Sequence, residues 1–421
     1  MRALIITLFC AAIAVAQPAA PNPAPSEELR YAVVLTRHGV RSPTWDLPRL
    51  NRYSASPWPD FGVPPGNLTA HGGRLISIMG RYYRDFFTAA GLLGKPACQD
   101  AANTYIWADT DQRTLETARL LAETLAPSCQ TAIHSVTNGK PDPLFDPLEA
   151  GAVKQDQALA LAAVSGSIGP DLKAIVDAHR PALDQLNFIL RGNATAAVSI
   201  FDEPVALTRA DDGVAMAGPL RTASTLTENL LLEYTNGMSG NNLGWGRLTA
   251  ANLQQVMSLH TAYADWMRRT PYLASTRGSN LLSHIVNSLE QAAGGKPIAG
   301  ALGNPTGRLL VISGHDTNIS NVSGMLGLSW LLPSYQQDDV PPGGALLFTL
   351  WRSKPSGRYS VRLQVIAQTM DQMHDAMPLS LATPPIIADI FIPGCGTAAK
   401  GYPCTWTSFA RTARAAMSPV K

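Results

Sequence analysis

A histidine stands between two arginines in the string Arg37-His38-Gly39-Val40-Arg41-Ser42-Pro43. Guanidiniums this close repel unless an anion joins them, and their forks match phosphate oxygens bidentately. The same positive charge depresses the histidine pKa, which keeps the imidazole neutral and nucleophilic in mildly acidic solution. Taken alone, the string reads equally well as a surface loop with solvated arginines. A second candidate is Gly314-His315-Asp316-Thr317-Asn318, which could be half of a serine-hydrolase triad, a metal-ligand pair or a helix N-cap. Adjacent residues at a strand end diverge, and no Gly-x-Ser-x-Gly elbow is present, so the triad is disfavoured. Beside the first loop, a phosphate ligand plus a proton donor makes better sense. The third candidate is Asp109-Thr110-Asp111-Gln112-Arg113. There Arg113 falls in the first turn of a helix, where free N–H groups and the dipole already favour anions; an ordinary capping segment is its plainer reading.

The elements that must position these groups are three short apolar runs, Tyr31 to Thr36, Tyr105 to Ala108 and Arg308 to Ser313. Each is followed by one of the polar strings and then by a helical pattern. Strand–loop–helix units predict an α/β fold with a mostly parallel sheet and helices on both faces, and ligands bind outside the carboxyl ends of such strands. Residues 148–276 change character, with helical periodicity in 157–164, 172–189, 224–234 and 253–268, and predict a smaller, mainly α-helical insertion. The α/β unit is then expected at 30–147 and 277–421, with later strands at 345–351 and 359–368.

The chain has 421 residues, 46% hydrophobic and 15% charged, with a formal net charge of +2, ample for a large core and without a basic stripe. Nucleic-acid and anionic-membrane partners are therefore not expected. Residues 1–16 read as a signal peptide: Arg2, an apolar run from Leu4 to Val15, and Ala14-Val15-Ala16 as the cleavage site. Residues 17–29 read as a Pro-rich linker, and no later apolar run approaches the ~18 residues that span a bilayer. A secreted or periplasmic protein, monomeric, is the expectation. Four cysteines remain after the signal, Cys98, Cys129, Cys395 and Cys404, and allow three pairings. The local pairs Cys98–Cys129 and Cys395–Cys404 are favoured over a zinc site, since there is no Cys-x-x-Cys and no histidine at ligand spacing.

With these strings on the page, the sequence resembles the histidine acid phosphatases, the branch of the histidine phosphatase superfamily that includes bacterial periplasmic phytases and glucose-1-phosphatases. The likeness extends to Leu68-Thr69, Gly72-Gly73, Pro141-Asp142-Pro143-Leu144-Phe145, Gly244-Trp245-Gly246-Arg247, Pro341-Pro342-Gly343-Gly344 and Thr383-Pro384-Pro385. It implies an α/β domain with a helical domain beside it, and a phosphate-monoester substrate hydrolysed at acidic pH without metal or cofactor. It further implies that His38 becomes a phosphohistidine and that the Gly39 carbonyl holds the other ring nitrogen. Arg37, Arg41, Arg113 and His315 would grip the phosphoryl oxygens, and Asp316 would protonate the leaving alcohol. Thr44 matches a position that approaches substrate phosphate. Two departures set the chain apart from the phytases: Trp45 stands where they commonly carry lysine, and Met238-Ser239-Gly240-Asn241-Asn242 lacks their acidic residue. Trp45 and Met238 are accordingly candidates for the substrate pocket. A phosphotransferase of the same chemistry and a non-catalytic phosphate-binding protein are the alternative functions. His71, His134, His179, His260, His284 and His374 are expected to be surface or structural.

Overall fold

The computed structural model describes residues 26–94, 96–137, 139–194, 198–211 and 213–417, so the expected signal peptide lies outside the described residues. Its strands, in chain order, are β1 (Glu27–Arg37), β2 (Thr104–Ala108), β3 (Ile133–His134), β4 (Ala206–Ala210), β5 (Gly213–Ala217), β6 (Leu309–Gly314), β7 (Ala345–Ser353), β8 (Tyr359–Ala367), β9 (Ile386–Ile390) and β10 (Cys404–Thr405). Eight of them form one sheet in the order β10-β8-β7-β1-β6-β2-β3, with β9 also paired to β8. The pairs β1–β6, β6–β2 and β2–β3 are parallel, and the strands beyond β1 on the other side add antiparallel. The α/β class read from the strand–loop–helix units is the one that forms, and its parallel part carries all three polar strings.

β1 lies at the middle of this sheet and shows why. Tyr31, Val33 and Leu35 point into one core and Ala32 and Val34 into the other, so both faces are covered and the strand reads as an unbroken apolar run. One face is packed by the helices α1 (Ala70–Ala89) and α2 (Gln112–Leu125), through residues such as Met79, Tyr83, Phe86 and Leu121. The other takes the long helix Pro271–Gly294 and the helix that follows β6, Asp316–Leu326. Each such side chain buried contributes roughly 1.5–3 kcal/mol.

Three expectations need correcting. Residues 27–29, expected as the end of the linker, are already strand, with Glu27 to Leu29 pairing with Ser353, Arg352 and Trp351. The polar start of β1 is held by ion pairs, Arg352 Nη1 to Glu28 at 3.3 Å and Arg362 Nη2 to Glu27 at 2.6 Å, which hydrophobic patterning does not register. The boundary expected at 276/277 falls inside the helix Pro271–Gly294, whose buried residues run continuously from Leu273 to Gln291, so the chain does not divide there. Helical periodicity over 172–189 becomes two helices, Leu172–Ala178 and Arg180–Arg191, because Pro181 enters at the start of the second.

Within 148–276 the described residues form helices and one hairpin, β4–β5. The helices needed below are α3 (Pro219–Thr235) and α4 (Ala250–Ala264); α4 runs on into a π-helical turn, Asp265–Arg269, before α5 (Pro271–Gly294) and, after β6, α6 (Asp316–Leu326). α3 is buried on nearly every side, Glu228 and Glu233 included. Both predicted disulfides are present, Cys98–Cys129 and Cys395–Cys404. Among the described residues no single helix is long and apolar enough to cross a membrane.

Glu233 gives a test of this packing. Its Oε2 accepts the Gly244 N–H at 2.7 Å, while Oε1 is buried with no partner among the described residues, and burial pushes the carboxyl up to about 8. The raised folded-state value means that this group's contribution to stability is full below the ordinary 4.5 and is lost as pH rises towards 8. Glu233→Gln should remove that loss, so that the variant melts higher than the parent by a margin that grows from pH 5 to 7.5, reaching about 2–4 kcal/mol. Parallel melting curves across that range would show the group to be ionised or hydrated in the folded state.

Candidate active site

The site is built at the carboxyl ends of β1, β2 and β6. The backbone of His38 is fixed on both sides: its N–H donates to the Gly314 carbonyl at 2.9 Å and its carbonyl accepts from Gly343 N–H at 2.9 Å. The loop that follows is pressed onto the start of α1, where Thr69 caps the helix by accepting from Gly72 N–H at 2.9 Å. A Cβ on Gly72 would lie 2.1 Å from the Val40 carbonyl oxygen, so only glycine permits this approach. Arg41 bridges to Leu68, and Ser42 N–H donates to the Asn67 carbonyl at 2.9 Å, which holds the second arginine of the string in place.

The six polar residues singled out from the three strings converge. His38, Arg41, Arg113, His315 and Asp316 line one cavity of ≈ 420 Å³, with Arg37 buried behind them at 1% exposure. The rings of His38 and His315 are 5.5 Å apart, edge to face. His38 Nδ1 lies 2.8 Å from the Gly39 carbonyl oxygen. A carbonyl can only accept, so the proton sits on Nδ1 and the Nε2 lone pair is left for chemistry. Burial, then the charges of Arg37 and Arg113, His315 and the charge of Arg41, hold the His38 pKa well below its ordinary value, so the ring stays neutral in acid.

Each cation has a counterion. Arg37 Nη2 is ion-paired to Glu228 Oε1, and Arg41 Nη2 lies 3.0 Å from Glu228 Oε2. Arg113 Nη2 lies 2.6 Å from Asp111, and His315 Nε2–H donates to Asp109 Oδ2 at 2.6 Å. Two guanidinium donors nevertheless stay orphaned, for Nε of Arg37 and Nε of Arg113 are buried without a partner among the described residues. Buried unpaired donors of this kind are what an oxyanion would satisfy. Asp316, the first residue of α6, accepts from its neighbour Thr317 N–H at 2.9 Å and from Arg268 Nη1 at 2.6 Å. Burial alone would raise its pKa, but the charges of Arg268 and Arg37, with His260, more than offset this and hold the carboxyl well below the usual range.

Thr44 and Trp45 line a second cavity of ≈ 450 Å³ that shares Arg41 and Thr317 with the first. Arg49 stacks on Trp45 at 3.7 Å, so the aromatic ring is fixed beside the opening. Met238 is not among the residues lining either cavity; its carbonyl instead lies 3.3 Å from His374 Nε2. Sequence reasoning missed Glu228, Arg268 and His260, which come from α3, the π-helical turn and α4. His260, expected to be structural, is buried with Nε2 3.8 Å from Asp316 and lines the second cavity. The one available signal was an acid just ahead of the apolar run Leu230 to Leu232, in the helical pattern 224–234. A metal is poorly served here: Glu228, His260 and Asp316 bring donor atoms within 4.8 Å of one another, as do Asp109, Asp111 and His315. In both groups arginines already occupy carboxylates that a cation would need.

Comparison with known proteins follows the same line. The chain is 34% identical over 433 residues to the phytase AppA of Escherichia coli (strain K12), covering 100% of this chain and 99% of that protein. A glucose-1-phosphatase of Providencia rettgeri is 27% identical, with 97% and 98% covered. Among solved structures, a Hafnia alvei phytase in complex with tartrate superposes with a TM-score of 0.87 at 35% identity, covering 94% of this chain and 99% of that one. A Klebsiella sp. ASR1 phytase follows with a TM-score of 0.84 at 29% identity, covering 94% and 96%. The model of the histidine phosphatase superfamily (branch 2) matches residues 28–365, and the chain, with its histidine set among phosphate-matching arginines, belongs to that family.

Proposed function

We propose that the chain hydrolyses phosphate monoesters through a phosphohistidine formed on His38 Nε2. The observation that carries this reading is the 2.8 Å contact of Nδ1 with Gly39 O, which fixes the tautomer and aims a free lone pair at the cavity. In the first step Nε2 attacks phosphorus and the bond to the leaving oxygen breaks. Arg37, Arg41, Arg113 and His315 offset the charge on the equatorial oxygens. Asp316, protonated once substrate is bound, gives its proton to the leaving alcohol. Water then attacks the phosphohistidine, its proton passes to Asp316, and the P–N bond breaks to release phosphate and neutral His38. Trapping a labelled phosphoryl group on His38 after acid-free quenching tests the step. A silent trap with no phosphate release would instead support a phosphate-binding protein. With glycerol present, phosphoglycerol as the main product would support the phosphotransferase.

The substrate is assigned from the second cavity. Beyond Arg41 it holds Arg221, Arg268 and Arg277, more positive charge than the sequence led one to expect after the loss of lysine at position 45. Such a wall suits a second anionic group, and the similar enzymes of E. coli and Hafnia alvei are named phytases. A multiply phosphorylated polyol is the substrate we assign. One observation favours a second reading: the first cavity is lined by Asp109, Asp111, Asp146 and Glu149, acceptors for the hydroxyls of a singly phosphorylated sugar. Arg221→Ala separates the two. It should raise KM for phytate about tenfold, the worth of one charge-assisted hydrogen bond, and leave glucose 1-phosphate and p-nitrophenyl phosphate unchanged. An unaltered KM for phytate would favour the sugar phosphate. Export to an oxidising compartment, with cleavage near Ala16, completes the proposal and is supported by the two disulfides.

A further inference from the structure

The groups assigned to the phosphoryl oxygens already hold an anion of the protein's own. Glu228 pairs through one oxygen with Arg37 and through the other with Arg41 at 3.0 Å. Arg37 Nη1 is committed to the Val340 carbonyl at 2.6 Å and Arg41 Nη1 to the Ser42 carbonyl at 3.0 Å. Arg37 Nε, without a partner among the described residues, is open to an oxyanion beside His38, but a bidentate grip also needs the Nη2 of the same fork, and both Nη2 groups are on Glu228.

The charged groups around Glu228 come from every element packed on it. β1 and its loop supply Arg37 and Arg41, α4 supplies His260, the π-helical turn Arg268, α6 Asp316, and the loop before β7 Asp339. Three carboxylates, Glu228, Asp316 and Asp339, face three guanidiniums, Arg37, Arg41 and Arg268, in a buried space. Even with the Asp339 carboxyl pushed up by burial, that set carries at most about one net positive charge before anything binds. A dianion would leave it negative, and a buried excess charge is relieved by taking up protons. Glu228 is the carboxylate that loses its counterions, because they are the arginines the dianion uses; Asp316 keeps Arg268 at 2.6 Å.

We propose that Glu228 is an internal competitor for the phosphoryl group: an oxyanion bound beside His38 draws Arg37 and Arg41 away, and Glu228 takes up one proton from solvent as the anion binds. The inference rests on the proposed function only in assigning Arg37 and Arg41 to the phosphoryl oxygens. Although burial raises it, the two guanidiniums hold the free-site Glu228 carboxyl at about 2, so it has a proton to gain throughout mild acid. The acid preference then enters through binding, and the gained proton lies on a carboxylate whose donor atom is within 4.8 Å of Asp316.

The test uses sulfate, which stays dianionic from pH 4 to 7, titrated calorimetrically into the full mature chain in buffers of different ionisation enthalpy. The wild type should take up one proton on Glu228 and, below the pKa of Asp316 in the complex, a second on Asp316, so that sulfate affinity falls at least tenfold per pH unit. Glu228→Gln should take up one proton fewer, bind sulfate at least tenfold more tightly at pH 6, and flatten the pH dependence of KM while leaving that of kcat. Glu228→Asp, which keeps the charge, should keep the full uptake. No proton uptake by the wild type overturns the proposal, as does undiminished uptake in Glu228→Gln, which would put all of it on Asp316 or Asp339. If Glu228→Gln does not fold, Asp316→Asn and Asp339→Asn decide: uptake of a proton retained in both supports Glu228, and its complete loss in either overturns it. Sulfate binding needs no turnover, so failure of the phosphohistidine reading would be seen separately in the trapping experiment.

Discussion

His38→Ala should lower kcat for any phosphate monoester by a factor on the order of 10⁴–10⁶, the range seen when a covalent nucleophile is removed. Among the described residues nothing nearby replaces it. His315, the other imidazole in the cavity, donates its Nε2–H to Asp109 and has Arg113 3.5 Å from Nδ1, so neither nitrogen is placed to attack. The arginines survive the change, and affinity for sulfate at pH 5 should therefore stay within a few-fold of the parent. That pairing of lost turnover with kept binding distinguishes a missing nucleophile from a collapsed site. Turnover within tenfold of the parent would mean that water, not His38, attacks phosphorus.

The second large effect concerns Asp316→Asn. A positioned general acid contributes about 10²–10⁴-fold, and an amide has no proton to give. The loss should appear in full with alkyl phosphates such as glycerol phosphate, and be at least tenfold smaller with p-nitrophenyl phosphate, whose leaving group needs little help. The ion pair with Arg268 sharpens the expectation. In the empty site Asp316 is ionised, because the charges of Arg268 and Arg37, with His260, outweigh the burial that would protonate it. A bound dianion reverses that balance and raises its pKa in the complex. The active form is then the protonated one, so kcat for alkyl phosphates should fall as pH rises through that value. Asp316→Asn should abolish this basic limb. Equal slowing of both substrate types, with the limb intact, would remove Asp316 from the acid's role and leave it as a partner of Arg268.

The pH behaviour of His38 has the opposite sense. Its pKa is held well below 6.5 by burial and by the charges around it, so acid that would protonate an ordinary histidine leaves the nucleophile free. An enzyme of this build keeps its attacking group and gains its proton donor in the same acid range.

How much of this was legible beforehand divides along a physical line. Arg37, His38, Arg41, Arg113, His315 and Asp316 could be found in the sequence because each follows a short apolar run. In a sheet with a parallel core, the carboxyl ends of β1, β2 and β6 must meet at one edge. The two disulfides were legible for a similar reason, since proximity along the chain favours the short loops. Met238 was misplaced and His260 undervalued because both belong to the helical part, where no strand end fixes a direction.

The sequence by itself determined the class of sheet, the loops that carry the chemistry, and the chemistry those residue types support; alternation and turn signals are local, and they need no knowledge of partners. Tertiary structure alone decided that Glu228, 191 residues from Arg37, neutralises two of the phosphate-matching arginines, and that Arg268, 48 residues from Asp316, holds that acid ionised. Helical periodicity says which face of α3 or α4 is buried, but not against what. The pairing of buried charges is a property of packed space, fixed only when the helices settle onto the carboxyl edge of the sheet.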